Sequence, residues 1–230
     1  MRPFNLSVQL FSQIFWQAVL QNSTQRRDQR ENLFRELERL DALRSGAEYN
    51  TGSISAAAAW CLYSVVRYFQ VSRVLEVGTF IGKSTLSIAT AIDHEGATKG
   101  EIHTCDMSNA IDIPHRGATR VVQYKKTSST DMLGRLTGPF DFVHLDGRLT
   151  EKDGPLLQQL LSPEAIVALD DFEGVEKGVA NLMYMRSAGL LPQHFLVYPA
   201  PAHLLETIGL SDRSLTAILV PTSLIRLTAQ

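Results

Sequence analysis

The fold of this chain is decided by the stretch Leu75-Glu76-Val77-Gly78-Thr79-Phe80-Ile81-Gly82-Lys83-Ser84-Thr85. The stretch joins a short apolar strand to a helix through a turn with two glycines. Gly78 permits a tight turn with close backbone approach, and Gly82 opens a helix whose free N–H groups attract an anionic or polar group. We therefore expect a nucleotide-like ligand beyond the end of this strand.

Strand-like and helix-like segments alternate downstream of this turn. The predicted strands are Arg73–Val77, Glu101–Cys105, Arg120–Tyr124, Phe140–Leu145, Ala165–Leu169, His194–Tyr198 and Leu215–Val220. Helices are predicted at 83–93, 129–135, 151–161 and 175–187, whereas residues 107–119 have the pattern of a loop. This alternation predicts a doubly wound, Rossmann-like α/β fold with a mostly parallel sheet.

Three helices are predicted ahead of the sheet, at residues 1–20, 26–44 and 54–69, and the third is nearly apolar all round. Residues 1–50 are assigned to a helical cap or dimerisation segment, and residues 51–230 to the binding domain. Polar side chains interrupt the first apolar run and no small-residue cleavage site follows. We therefore expect this helix to cover the body of the protein or a second subunit, and not to enter a membrane.

The composition narrows the class of protein. The chain has 230 residues, of which 44% are hydrophobic, and a net charge of −2. There is no basic excess to neutralise phosphates, so nucleic acid and anionic membranes are not expected partners. The two cysteines, Cys61 and Cys105, are not spaced as a metal site, which argues against a secreted disulfide scaffold. We expect a cytoplasmic protein in which both cysteines are buried.

Two familiar nucleotide motifs do not match the glycine turn. A Walker A loop needs GxxxxGK[ST], and this chain has one residue too few between Gly78 and Gly82. The dinucleotide fingerprint GxGxxG is also missing, because Thr79 and Phe80 stand where a second glycine would admit pyrophosphate. A P-loop or NAD-type nucleotide enzyme is kept only as an alternative.

Two acidic residues beside the glycine turn indicate which kind of ligand it binds. Glu76 lies at the carboxyl end of the first strand, two residues before Gly78. A carboxylate there would repel pyrophosphate but would suit a ligand with an ammonium group and an adenosine. Asp106 ends the second strand, where it is placed to accept both ribose hydroxyls. This pair of acids around a glycine turn is the pattern that discriminates between ligands.

The segment EVGTFIGKS at 76–84 resembles the first motif of the class I S-adenosylmethionine-dependent methyltransferases, in particular the catechol and caffeoyl-CoA type O-methyltransferases and their bacterial relatives. The likeness extends from about residue 49 to residue 171 by motif, and to the C-terminus by element order. It implies a seven-stranded sheet whose last strand is inserted antiparallel. It also implies methyl transfer to an oxygen of a small molecule, and we expect a homodimer.

The resemblance implies cofactor contacts residue by residue. Glu76 and Gly78 would line the methionine pocket, Ser84 would contact the methionine carboxylate, and Asp106 would hold the ribose. The remaining expected cofactor contacts are Thr79, Phe80, Gly82, Ser129 and Asp146. Ser129 belongs to the segment that aligns with the family's adenine-contacting residues, and a helix N-cap is the alternative role for it.

Three aspartates follow the fourth and fifth strands: Asp146, Asp170 and Asp171. Adjacent parallel strands would place them together, where like charges raise one another's pKa. A hard cation such as Mg²⁺ or Ca²⁺ would resolve this conflict, and the resemblance implies these three residues as its ligands. The alternative is that one aspartate hydrogen-bonds substrate or a helix N-terminus and that no metal binds.

The residue that would accept the acceptor's proton is not evident. In the catechol-type relatives a lysine lies three positions after the first metal-binding Asp, but that position is Leu149 here. Beside Asp146 itself, the candidates are Arg148 as a charge stabiliser and Lys152 or His144 as a base, with a buried structural role as the alternative for His144. The missing lysine argues against a catechol acceptor, and an inactive cofactor-binding subunit is the second alternative.

Overall fold

The computed structural model describes residues 3–21, 26–48, 52–94, 100–109, 111–175 and 177–224. Three helices precede the sheet: α1 (Pro3–Leu20), α2 (Arg27–Ala42) and α3 (Ala56–Phe69). The helices within the sheet domain are α4 (Lys83–His94), α5 (Ser129–Leu133), α6 (Asp153–Leu160), α7 (Gly178–Ser187) and α8 (Ala202–Thr207). Among the described helices, none is long and apolar enough to cross a membrane.

Seven strands form one sheet: β1 (Arg73–Val77), β2 (Glu101–Asp106), β3 (Arg120–Lys125), β4 (Phe140–Leu145), β5 (Leu161–Leu169), β6 (His194–Val197) and β7 (Ala217–Pro221). Their order is β3-β2-β1-β4-β5-β7-β6, and β7 runs antiparallel to both of its neighbours. The predicted α/β fold, with its mostly parallel sheet and inserted last strand, is confirmed. The order reverses between β1 and β4, which places the ligand crevice at the carboxyl ends of these strands.

The start of β5 and the segment 202–207 differ most from the sequence prediction. β5 begins at Leu161, four residues earlier than predicted, because Leu161 pairs with Phe140 ahead of an irregularity in the pairing of β4 with β5. Pro163 and Glu164 interrupt the apolar run of β5, so the sequence does not indicate this early start. Residues 202–207 form α8, a helix that the sequence analysis does not predict. Pro201 occupies the N-cap of α8, so this proline begins a helix.

Side chains alternate along each strand and divide the core in two. Val74, Ile102 and Phe142 face the layer of α1 to α4, whereas Leu75 and Val143 face α5 to α7. On the first face, the positions nearest the crevice carry the buried polar side chains of Glu76, Thr104 and His144. The apolar strands thus end in a polar layer directly beneath the predicted site.

α1 packs on the body of the protein, across β6 and α3. Trp16 is fully buried and donates from Nε1 to the carbonyl oxygen of Tyr198 at 2.8 Å. The hydroxyl of Ser12 accepts the N–H of Tyr198 at 2.9 Å, and Phe15 stacks on Phe69 with ring centroids 6.1 Å apart. The first helix therefore covers the edge of the sheet that β6 would otherwise leave open.

Candidate active site

Asp106 fastens the glycine turn after β1 to the end of β2. Its Oδ2 accepts the backbone N–H groups of Thr79 at 3.1 Å and Phe80 at 2.7 Å. Its Oδ1 accepts the N–H of Ser108 at 2.8 Å and the hydroxyl of Ser108 at 2.6 Å. One buried carboxylate thus orients two loops of the crevice, and bonds of this charge-assisted kind are among the stronger ones in proteins.

Gly78 brings the end of β1 against the end of β4. Its φ is +101°, and a Cβ at this position would lie 3.0 Å from the backbone of both Asp146 and Gly147. The N–H groups of Asp146 and Gly147 in turn donate to the carbonyl of Val77, at 2.9 and 2.7 Å. A side chain at position 78 would therefore separate the two loops.

A pocket of about 470 Å³, called the larger pocket, opens beside this turn. Of the residues predicted from the sequence, its walls contain Gly78, Phe80, Asp106, Ser129, Asp146 and Arg148. They also contain Met107, Thr127 and Lys177, which the sequence reasoning did not assign to the site. Met107 and Thr127 follow the ends of β2 and β3 closely, so the rule that ligands bind beyond strand ends could have found them.

Glu76 lies beneath the pocket and not on its wall. Its side chain is 0% exposed, and its carboxylate accepts the hydroxyl of Thr85 and lies 3.0 Å from Nδ1 of His144. Burial disfavours the charged imidazole, but the hydrogen bond and charge of Glu76 raise the pKa of His144 above its usual range. The structure therefore places His144 in the buried role that was its alternative, as a partner of Glu76 across paired strands.

Thr79, Gly82 and Ser84 do not line the larger pocket. The hydroxyls of Thr79 and Thr104 lie 2.6 Å apart, and Ser84 is buried in the first turn of α4. Gly82 has a φ of +79°, and a Cβ there would be 2.5 Å from Cγ1 of Ile113. The predicted loop 107–119 thus packs on the glycine turn through Ile113.

The two serines at the start of α5 have different roles. Ser128 is the N-cap, since its hydroxyl accepts the N–H of Asp131 at 3.1 Å. Ser129 donates to Oδ2 of Asp153 at 2.9 Å and lines the larger pocket. Ser128 therefore caps α5, and Ser129 lines the larger pocket.

Asp146, Asp170 and Asp171, called the acidic triad, converge as the sequence predicts. One carboxylate oxygen from each lies within 4.8 Å of the others. The N–H of Asp170 donates to the carbonyl of Leu145 at 3.0 Å, which holds the ends of β4 and β5 side by side. Oδ1 of Asp170 also accepts the hydroxyl of Thr216, at 2.7 Å.

Lys177, just before α7, enters the acidic triad. Its Nζ lies 2.9 Å from Oδ1 of Asp146 and 2.8 Å from Oδ2 of Asp171. Burial and the charge of Asp170 raise the pKa of Asp146 to about 6, although His144 and Lys177 act in the opposite direction. Burial likewise opposes the ammonium, but its bonds to Asp171 and Asp146 raise the pKa of Lys177 above its usual range.

The oxygen atoms of the acidic triad suit a hard divalent cation chemically. Two of the three carboxylates already bind the ammonium of Lys177, however, and the third binds Thr216. A divalent metal therefore does not fit beside Lys177 as the site stands.

A second pocket of about 220 Å³, called the smaller pocket, adjoins the larger one. It is lined by residues 52–55 and by Ala58, Arg213, Leu215 and the acidic triad. Gly52, Asp146 and Lys177 belong to both pockets. Of the residues considered as a base, Lys152 is exposed and lines neither pocket.

Comparison with known proteins shows the family to which this chain belongs. Residues 75–172 match the model of a methyltransferase domain. The O-methyltransferase hkm8 of Aspergillus hancockii is 33% identical over 174 residues, which cover 69% of this chain and 67% of that protein.

Two solved structures share the fold. The O-methyltransferase of Bacillus cereus in complex with S-adenosylhomocysteine aligns with a TM-score of 0.55 at 16% identity, over 81% of this chain and 90% of that one. The O-methyltransferase TomG of Streptomyces achromogenes in complex with S-adenosylmethionine aligns with a TM-score of 0.50 at 21% identity, over 74% and 82%.

The chain belongs to the S-adenosylmethionine-dependent O-methyltransferases. Membership agrees with the resemblance stated from EVGTFIGKS and with the inserted antiparallel strand. The P-loop, NAD-type and inactive-subunit alternatives are not favoured.

Proposed function

We propose that this protein methylates an oxygen of a small molecule held in the smaller pocket, with S-adenosylmethionine in the larger one. The observation that carries this proposal is that the two pockets meet at Asp146 and Lys177. A donor and an acceptor bound on either side of these residues would face each other, and such positioning supplies much of the rate of a two-substrate reaction.

The chemistry needs little covalent help from the protein. S-adenosylmethionine is a substrate that supplies a sulfonium methyl group. The acceptor oxygen forms a bond to this methyl carbon while the bond from carbon to sulfur breaks, and the hydroxyl proton leaves to a base or to water. The products are the methyl ether or ester, S-adenosylhomocysteine and a proton.

The chain's own residues would bind and orient the two substrates. Asp106 is proposed to hold the ribose from the position in which it clamps the turn, and Gly78 and Phe80 would contact the methionine half. Ser129 is proposed at the adenine. Asp146, with Arg148 at the rim of the larger pocket, would face the reacting atoms. Glu76, Thr79, Gly82 and Ser84 are proposed to support these contacts from behind the wall.

Substitution of Asp106 tests this proposal. Asp106→Asn keeps the shape of the side chain but removes the charge that four donors share, and we expect S-adenosylhomocysteine to bind about tenfold more weakly or worse. Isothermal titration calorimetry with S-adenosylhomocysteine measures the change.

Asp112→Asn is the matched control, because Asp112 is 92% exposed and pairs only with Lys125 among the contacts of the described residues. This variant should bind S-adenosylhomocysteine as the wild type does. A wild-type protein that binds no S-adenosylhomocysteine would contradict the proposed function.

The resemblance implies a divalent cation, Mg²⁺ or Ca²⁺, which we do not carry into the proposed function. The proximity of the three carboxylates supports it. The position of Lys177 opposes it, because the ammonium would have to leave two of the three ligands.

We propose a homodimer in which residues 1–50 serve as cap and dimerisation segment. Leu10 and Ile14 of α1 support this, since they are 57% and 52% exposed and lie one helical turn apart. A cytoplasmic location and the absence of nucleic-acid and membrane partners also stay predictions.

A further inference from the structure

The ammonium of Lys177 occupies the place where the resemblance implies a metal ion. It bonds to Asp146 at 2.9 Å and Asp171 at 2.8 Å, and it belongs to the walls of both pockets. The sequence reasoning missed it because Lys177 lies outside the motifs and 31 positions after Asp146.

The backbone around Lys177 is shaped to bring it there. Asp171 has a φ of +51°, so the chain turns sharply as it leaves β5. A Cβ on Gly178 would lie 2.5 Å from the carbonyl oxygen of Asp170 and 3.1 Å from Cα of Phe172. Only glycine lets α7 begin this close to the end of β5, and the side chain of the preceding lysine then reaches the acidic triad.

The charges of the site explain why a cation is needed. Asp170 is buried and the side chain of Asp146 is 17% exposed, and uncompensated carboxylates this close together repel each other. A lysine ammonium is a compact charge with three N–H donors. Two of them serve Asp146 and Asp171, which leaves the third for an oxygen in the adjoining smaller pocket.

We propose that Lys177 is the resident cation of the acidic triad and holds the acceptor oxygen in the role that the resemblance implies for a divalent metal. The contact with the acceptor rests on the proposed function. The occupation of the acidic triad does not, so the two statements can fail separately.

Titration with Mn²⁺ tests the proposal, since this ion binds carboxylate oxygens and its free form is measured by electron paramagnetic resonance. We expect the full-length wild type to leave Mn²⁺ free and its Tm to stay unchanged. Lys177→Met vacates the acidic triad and should bind Mn²⁺ about tenfold more tightly than the wild type or better. Mn²⁺ should then raise the Tm of this variant.

Three further variants sharpen the comparison. Lys125→Met removes a lysine–aspartate pair of 2.6 Å outside both pockets and should behave as the wild type. Lys177→Arg retains a cation and should also leave Mn²⁺ free. Lys177→Gln replaces Lys177→Met in the same experiment if the methionine variant does not fold.

Two results would overturn the proposal. One is a wild type that binds Mn²⁺ and loses this binding in Asp170→Asn. The other is a folded Lys177→Met or Lys177→Gln variant that gains no affinity for Mn²⁺. Titration of the wild type with S-adenosylhomocysteine is run in parallel, so that failure of the proposed function is recognised independently of either result.

Discussion

At the scale of single residues, Gly78 is the position where the backbone conformation brings the loops of the site together. An alanine there would have to adopt a φ of +101° and place its Cβ 3.0 Å from the backbone of Asp146 and Gly147. We expect Gly78→Ala to lower the free energy of unfolding by about 1–3 kcal/mol, because side chains avoid this conformation. Affinity for S-adenosylhomocysteine should fall as well, since the turn lines the larger pocket.

Gly174→Ala is the control for this substitution. A Cβ on Gly174 meets nothing within 4 Å, and its φ lies outside the left-handed region. Urea unfolding should therefore give nearly the wild-type stability for Gly174→Ala. Equal stability of the two alanine variants would show that the approach of β1 to β4 is not what requires glycine.

Residues of the site were predictable where a short pattern fixes the backbone. Gly78 belongs to a strand–turn–helix signal and Asp106 ends the next strand, and both line the larger pocket. Glu76 lies in the same signal, yet its side chain points into the buried layer, where His144 meets it. That pairing depends on which residue of β4 lies opposite β1, and a single sequence does not give this register.

At the scale of elements, α1 shows two faces with different roles. Trp16 is 0% exposed and bonds to Tyr198, whereas Leu10 and Ile14 face outward. We expect Trp16→Ala to lower the free energy of unfolding by about 3–5 kcal/mol, as large core deletions do. Chemical unfolding monitored by circular dichroism measures this loss.

The outward face of α1 provides the matched comparison. The double variant Leu10→Ser/Ile14→Ser should keep the wild-type unfolding free energy of the subunit but convert a dimer into a monomer, as measured by light scattering. A wild type that is already monomeric would refute the proposed dimer while leaving the expectation for Trp16 intact.

Elements were predictable where the hydrophobic period is clear, as in β1, β4 and α3. The start of β5 was not, because Pro163 and Glu164 interrupt the apolar run while Leu161 still pairs with Phe140. α8 was missed for a related reason. Its six residues are too few for a helical period to emerge.

At the scale of the whole molecule, the net charge of −2 conceals an uneven distribution of charge. Acids converge at the carboxyl ends of β2, β4 and β5, where Lys177 is bound between two of them. The sequence predicted this acidic edge, since parallel strands end together. It did not predict that a lysine is the cation bound there, because loop lysines carry no periodic signal.

The stability of the whole molecule should also depend on pH through its buried histidines. His103 is 7% exposed and lies 3.0 Å from the hydroxyl of Tyr124. Burial lowers the pKa of His103 below its ordinary value of 6.5, with Arg120 and Arg73 acting in the same direction and Glu101 against it. The folded state therefore binds fewer protons than the unfolded state, so this contribution is fully present above pH 6.5 and is lost as the pH falls below it.

We accordingly expect the free energy of unfolding to decrease as the pH falls from 6.5 to 5. His103→Gln should reduce the slope of the unfolding free energy against pH. The uptake of one proton limits this slope to about 1.4 kcal/mol per pH unit. His203→Gln, at an exposed position of α8, should leave the slope unchanged. Urea unfolding at a series of pH values measures both.

His144 would act in the opposite direction, because its pKa is raised and its contribution to stability is lost as the pH rises through that pKa. A slope that His103→Gln leaves unchanged would mean that other groups, such as His194, whose pKa burial also lowers, carry the acid sensitivity.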